Sequence, residues 1–408
     1  MKKIYRWLIV PPLGALGVLG LTAALMRPDR TQAAVVKAAP AAAPLTLLWS
    51  RPVAGFRGAA LSPQGEMIVL ASGRKGAVSL WHWRTQPRQP LWVHAAANAS
   101  EVAVSASGSF VAAWSPLDPA QPDFTLLRGA DGTTLSHRTL DGAVWDAELS
   151  ADGCYAGVVT GGRTLYHYVL SEQPYKHKDK RIQKWPLDGI GSSVDFTTAH
   201  SYLVTGTWDV CGVSCYTPRG VRLWTYPENA VSQQKMADKL FTAQISGDGR
   251  YILGIASGNI REGDPTLFLW RSDGGGSPQW QSALGADAFF PRAQISRDGQ
   301  LVAVSYLRQL VRGGQTLSEH RLRLLDSDGN TLWERGGLLF SPALVALGPT
   351  GSVLVSDGQH TLYSLSREGR IGQSYPLPGR IRDTKLSADG RVLLVYTGDG
   401  TLSVYKLG

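Results

Sequence analysis

Three stretches of this 408-residue chain carry side chains suited to recognition chemistry. They are Gly206 to Gly220, with Trp208, Tyr216 and Arg219; Ser257 to Pro265, with Arg261; and Leu307 to His320, with Arg308 and Arg312. Aromatic rings supply large, rigid contact area, and a guanidinium meets a carboxylate or phosphate through two parallel hydrogen bonds. Together these types point to a face that grips a partner. The competing reading is a set of solvated loops with Trp208 folded onto its own sheet.

Cys211 and Cys215 stand four apart in a glycine-containing stretch. A small disulfide in an oxidising compartment and a pair of free thiols both remain open at this point. A metal site would need more ligands than the stretch offers, and no histidine is near it. Cys154 falls in a strand position and reads as a small buried apolar residue.

Signals for catalysis are weak. The eight histidines are scattered, and no His-Glu-x-x-His, nucleophile-base or phosphate-loop pattern occurs. Asp326-Ser327-Asp328-Gly329-Asn330 resembles the start of a calcium loop, but Glu334 falls at the ninth position where the twelfth is required. It reads as a strand-connecting turn. No catalytic, cofactor or metal residue is assigned, although scattered carboxylates such as Asp146 and Asp383 would meet if the chain closed round a central channel.

What positions these residues is a repeat. Thr242 to Gly258, TAQISGDGRYILGIASG, has a period-two run ending at Ser246, a tight turn at Gly247-Asp248-Gly249, and an apolar run from Tyr251. Asp-Gly between two such runs signals a β-hairpin. Versions recur around Ser62, Ser105, Ser150, Ser296, Gly348 and Ser387, with a degenerate copy at Val194 to Thr205. A third run follows each hairpin, such as Val78-Ser79-Leu80-Trp81 or Leu267 to Trp270, and a fourth ends near an aromatic, as at Trp92, Trp185, Trp280, Trp333 and Tyr375. The spacing is roughly 40 to 50 residues, the period of four-stranded propeller blades.

The Ser-x-Asp-Gly hairpin followed by a Leu-Trp strand resembles the blades of WD-repeat and Tol-type propellers, and the Leu-Trp fourth strands resemble those of quinoprotein-type propellers. The likeness covers Leu45 to Gly408. The Gly-His and Trp-Asp pairs of true WD repeats are absent, apart from an out-of-phase Trp208-Asp209, so no subfamily is assigned. An all-β, eight-bladed propeller is therefore expected over residues 45–408, or seven blades if the fourth copy is an insertion. The last copy ends after its third strand at Leu402 to Leu407, and residues 45–50 have the composition of the missing fourth. Pairing the two would close the ring and hide two sheet edges.

Residues 1–44 differ in kind. Lys2, Lys3 and Arg6 precede Trp7 to Met26, a run without charge that would span roughly 30 Å as a helix. Residues 1–26 are expected to form a transmembrane anchor, with cleavage as a signal peptide the competing reading. Ala/Pro-rich residues 27–44 read as a tether. The net charge of +9 favours anionic surroundings.

The three long stretches fall between second and third strands of successive repeats, which would cluster them on one sector of one face. The expected function is that of a membrane-tethered, extracytoplasmic scaffold, periplasmic or extracellular, or secreted if the N-terminus is cleaved. Its expected partner is a protein or an anionic envelope component; nucleic acid is not expected. By analogy, the quinoprotein-like resemblance implies a part in envelope assembly. The alternative is a small-ligand sensor or enzyme working in the central channel.

Overall fold

A computed structural model describes residues 45–407 apart from 96–97, 117–121, 177–178, 198–201, 210–211, 229–238, 258–263, 313–314, 339–342 and 349–350. The expected anchor (1–26) and tether (27–44) lie outside the described residues. Among the described residues there is no helix, and so none long and apolar enough to cross a membrane.

The described residues form thirty-two antiparallel strands in eight four-stranded blades. The innermost strands are β2 (Phe56–Leu61), β6 (Glu101–Val104), β10 (Val144–Leu149), β14 (Ile190–Phe196), β18 (Leu240–Ile245), β22 (Ala288–Ile295), β26 (Ala343–Leu347) and β30 (Ile381–Leu386). Each packs against the next around the ring, and β30 packs against β2. The degenerate fourth copy builds a full blade, β14 to β17 (Arg222–Tyr226), linked to its successor by the single pair Trp208↔Leu240. Blade 8 takes its outer strand from the N-terminal side: β1 (Thr46–Pro52) pairs with β32 (Thr401–Lys406) from Thr46↔Lys406 to Pro52↔Thr401.

The repeated hairpin forms for a local reason. The buried hydroxyl of Ser296 accepts the amide of Leu301 at 3.0 Å and donates to Asp298 Oδ1 at 2.6 Å, which in turn accepts the amide of Gln300 at 3.2 Å. Ser150, Ser246 and Ser387 make the same set of bonds with Asp152, Asp248 and Asp389. Gly299 then turns the chain at φ +69, a conformation open to glycine at little steric cost. In the degenerate copy Thr197 Oγ1 takes the role, accepting Tyr202 N at 3.2 Å. Ser296→Ala should therefore cost about 1–3 kcal/mol in urea denaturation, because a buried amide loses its acceptor. Ser107→Ala, in an exposed turn, should stay within about 0.5 kcal/mol of wild type.

Eight apolar clusters fill the eight blade interfaces. Outer-strand tryptophans lock neighbours together. Trp92 Nε1 donates to Gly129 O (2.6 Å), Trp224 Nε1 to Ser272 O (2.9 Å) and Trp280 Nε1 to Ser327 O (2.9 Å), each in the next blade. The rings lie where a Cβ at Gly132 or Gly329 would come within 2.7 or 2.9 Å of them, so the turn they cover needs glycine. At the seam, Trp49 Nε1 on β1 reaches Pro87 O of blade 1 at 2.9 Å. Phe56 stacks on Tyr396 across the same seam, centroids 3.7 Å apart.

Candidate functional site

In a four-stranded meander, the connections after the second and fourth strands lie on one face of the disc. On that face blade 6 departs from its neighbours. Its second and third strands, β23 (Leu301–Arg312) and β24 (Gln315–Asp326), pair continuously from Leu301↔Asp326 to Arg312↔Gln315. The inner strand β22 follows β23 only to Ala288↔Arg308, and the outer strand β25 (Thr331–Leu338) follows β24 only to His320↔Leu338. Gln309 N still donates to Asp287 O at 2.8 Å, so the pairs from Leu310↔Leu317 to Arg312↔Gln315 form the two-stranded ribbon, about 10 Å long at the usual rise per residue. Among the described residues both of its edges are unpaired, the state that invites an added strand. Val311 is 74% exposed and Leu317 39%, on a ribbon whose tip reaches Arg312 and Gln315.

At the foot of the ribbon, a bulge in β22 turns Phe290 outward, 59% exposed and at φ +52. That conformation is a strained one for a bulky side chain. The foot is also firmly held. Glu334 meets Arg321 at 2.7 Å and Arg323 at 2.9 Å and accepts the Tyr306 hydroxyl at 2.8 Å, while Arg321 also meets Glu319 at 2.9 Å. Burial raises the Glu334 carboxyl, but these bonds outweigh it and hold it below its ordinary value. Arg308 pairs with Asp287 at 2.5 Å.

The residues picked from sequence fall in different places. Arg308 and Arg312 belong to the ribbon, Arg308 as a brace at its foot and Arg312 at its tip. Apart from 313–314, which lie outside the described residues, Leu307 to His320 is accordingly strand, not loop. Trp208 ends β15 (Leu203–Trp208) on the ribbon's face, half-buried, and the Asp209 beside it takes Arg163 at 2.7 Å. Tyr216 is not an anchor. Val213–Tyr216 is the third strand of its blade, β16, and the ring is 3% exposed, stacked 5.9 Å from Trp185. Arg219 is exposed in the turn from β16 to β17, which lies on the opposite face. Arg261 lies outside the described residues, as does Cys211. Cys215 is a free thiol, wholly buried, and burial pushes it up to about 12. Cys154 is exposed, not buried, because it sits in the hairpin turn one residue before its strand begins. Asp326 Oδ1 accepts the amides of Asp328 and Asn330, so this segment is a turn.

The channel gathers more charge than the sequence reading assigned. On the inner strands, several charged side chains stand two or four residues before the hairpin serine or threonine and interact across blades. Glu101, Asp146 and Asp383 fall at the fourth position, and Glu148, Asp195 and Lys385 at the second. Glu148 remains open to water although protein surrounds it on every side, as expected in a narrow wet channel. Loss of hydration is the main cause that lifts Glu101 to about 7, Asp146 to about 6 and Asp195 to about 7. Lys385, 3.7 Å from Asp383, opposes the rise at Glu101, Glu148 and Asp383. Arg292 of blade 6 is half-buried and has no carboxylate partner among the described residues.

Some of these groups are structural. Asp146 Oδ2 accepts Val194 N, and Asp195 Oδ2 accepts Ile245 N, both at 2.9 Å, each across to the next blade. Gln244 Nε2 donates to Ala293 O at 3.2 Å. They satisfy part of the inner edge of blades 4, 5 and 6. The unfolded chain releases these protons near pH 4, whereas Glu101, Asp146 and Asp195 hold them to about pH 6–7 in the folded state. Their contribution to stability therefore falls as pH rises from about 4 to 7 and is level above that. The thermal midpoint should rise when pH is lowered from 8 to 5.5, and the triple change Glu101→Gln, Asp146→Asn, Asp195→Asn should flatten that profile.

No protein-family model and no curated protein sequence matches the chain. Solved propellers do match in structure. The Dos1 propeller aligns at a TM-score of 0.63 and 13% identity, covering 89% of this chain and 96% of that one. BamB from Moraxella catarrhalis aligns at 0.57 and 14%, covering 89% and 100%. The computationally designed Ika8 protein aligns at 0.59 and 12%, also covering 89% and 100%. At such identities the likeness shows the β-propeller fold alone.

Proposed function

We propose that this β-propeller is a non-catalytic protein-binding scaffold whose docking element is the ribbon of blade 6. The observation that carries the reading is a ribbon braced at its foot, with both strand edges unpaired among the described residues, exposed Val311 and Leu317, and the strained Phe290 turned outward at its foot. An extended segment of a partner protein can add to such an edge through main-chain hydrogen bonds, with alternate side chains reading the surface. The ring would give the ribbon a fixed direction. The charge-free run from Trp7 to Met26 supports a ring tethered to a membrane and placed outside the cytoplasm, and the quinoprotein-like strand pattern supports a role in envelope organisation. A designed chain with the same architecture is a reminder that the fold by itself selects no activity.

The test is photocrosslinking in the native membrane with a photoreactive residue at Val311, at Leu317 and, as a control on the opposite face, at Arg219. One protein captured from both ribbon positions and not from Arg219 supports the reading. Correctly inserted protein that yields no adduct at either ribbon position defeats it.

A second reading has its own observation, the convergence of Glu101, Asp146, Glu148, Asp195 and Asp383 around Lys385. A channel of this charge suits a small organic cation, as a sensor or an enzyme would require. Calorimetric titration with putrescine decides it: saturable binding lost in Glu148→Gln, while ribbon crosslinking fails, would move the function to the channel.

A further inference from the structure

At the seam between β1 and blade 1, on the flank of the ring, lies a cavity of about 340 Å3. Its walls include Arg51, Ser79, Trp81, Arg88, Pro90 and Val93. One contribution to this space is a small side chain. In β4 (Ala77–His82), Ser79 pairs with Leu70; at the matching place blade 3 has Tyr166, paired with Val158, and blade 5 has Phe268, paired with Gly254. Those two rings are buried and fill their interfaces. Ser79 fills no such volume; because Thr125, Ser214 and Ser403 stand at the same place in blades 2, 4 and 8, the cavity here is shaped as well by β1 and by the loop carrying Arg88 to Pro90.

The space is lined for charge. Arg51, on β1, lays its guanidinium over the Trp81 ring at 4.0 Å from the centroid. Trp81 is itself buried, its indole nitrogen donating to Ser79 Oγ at 2.9 Å, so the platform is fixed. Arg88 projects from the loop on the other side, exposed. Arg163, Arg222, Arg308, Arg321 and Arg323 all have carboxylate partners, whereas among the described residues neither Arg51 nor Arg88 has one. Burial without an anion already lowers the pKa of Arg51. Two unpaired guanidinium groups beside a fixed aromatic ring offer the fork geometry that oxyanions accept.

We propose that this seam cavity binds a small organic oxyanion, a carboxylate or phosphate carried on an apolar or aromatic body. The volume lies near the lower end of small-ligand sites. The anion meets Arg51 and Arg88, and the body lies in the space that Ser79 leaves, beside Trp81, Pro90 and Val93. Because Arg51 belongs to the closing strand and Arg88 to blade 1, an occupant ties the two sides of the seam and stabilises the closed ring by mass action. This site is on the flank of the disc and is independent of the ribbon.

The test is calorimetric titration of the full-length chain with phenyl phosphate, benzoate and inorganic phosphate. Saturable binding of phenyl phosphate or benzoate is expected, at least about tenfold tighter than inorganic phosphate. Preference between the two probes assigns the oxyanion. Arg88→Ala, a change at an exposed side chain, should weaken binding by about tenfold or more. Ser79→Phe should fill the cavity and abolish it. The proposal is overturned if neither organic probe binds at roughly 10 mM, if inorganic phosphate binds as tightly as both, or if Arg88→Ala binds as wild type does.

Discussion

A chain in which residues 45–52 are deleted, with the N-terminal segment joined directly to Val53, is expected to lose its cooperative unfolding transition and to accumulate as aggregate. The deletion strips β32 of its whole partner strand and leaves the edge of blade 8 open beside blade 1. It also removes Trp49, which is 7% exposed in the seam cluster and bonded to Pro87 O. Trp49→Ala alone should cost about 3–5 kcal/mol, a large share of the 5–15 kcal/mol or so that a folded domain has in hand. The complete deletion adds the lost ladder and an open sheet edge that templates association. Urea denaturation and size-exclusion chromatography read the outcome. A monomeric deletion variant with the wild-type transition would show that the seam is held by something other than β1.

The second large effect concerns binding. Replacing residues 309–318 by Asn-Gly, so that Arg308 leads through a tight hairpin turn to Glu319, removes the free-standing ribbon and leaves the blade intact. Partner affinity is expected to fall by roughly 100-fold or more, the scale of losing a hot-spot cluster. Stability should change by no more than about 0.5 kcal/mol, since the removed segment buries little and the Arg321–Glu334–Arg323 brace stays in place. The double change Val311→Lys with Leu317→Lys should weaken binding less, because it leaves the strand edges able to pair. A shaved ring that still captures the same partner would remove the ribbon from the mechanism and return attention to Trp208 on the same face.

Much of the ring was legible in the sequence because its signals are short-range. The Ser-x-Asp-Gly turn is a set of bonds within six residues, so Ser150, Ser246, Ser296 and Ser387 announce it directly. Even Thr197 could be placed by phase, although its turn lacks the aspartate and glycine. The recognition residues were less legible. A four-residue strand between two turns, Val213–Tyr216, has too little alternation to stand out from a long loop, and so the sequence marks Tyr216 as an anchor where the fold buries it. In Leu307 to His320 the signal was present: Gly313-Gly314 between Val311 and Thr316 is a hairpin pattern. It points to a ribbon, with Arg308 braced against Asp287 and no longer free for a partner.

By itself the sequence determined the repeat, the hairpin chemistry and an all-β ring, since each depends on neighbours in the chain. The tertiary structure alone decided which residues meet across blades. It brought Glu101, Asp146, Glu148, Asp195 and Asp383 round one channel, although they come from four different blades. Among the described residues it left Arg51 and Arg88 without a carboxylate partner beside a cavity, and it carried β23 and β24 beyond β22 and β25 as a two-stranded ribbon. The reason is physical: a period of two fixes which way a side chain points from its own sheet, but what it then meets is set by a strand many residues away.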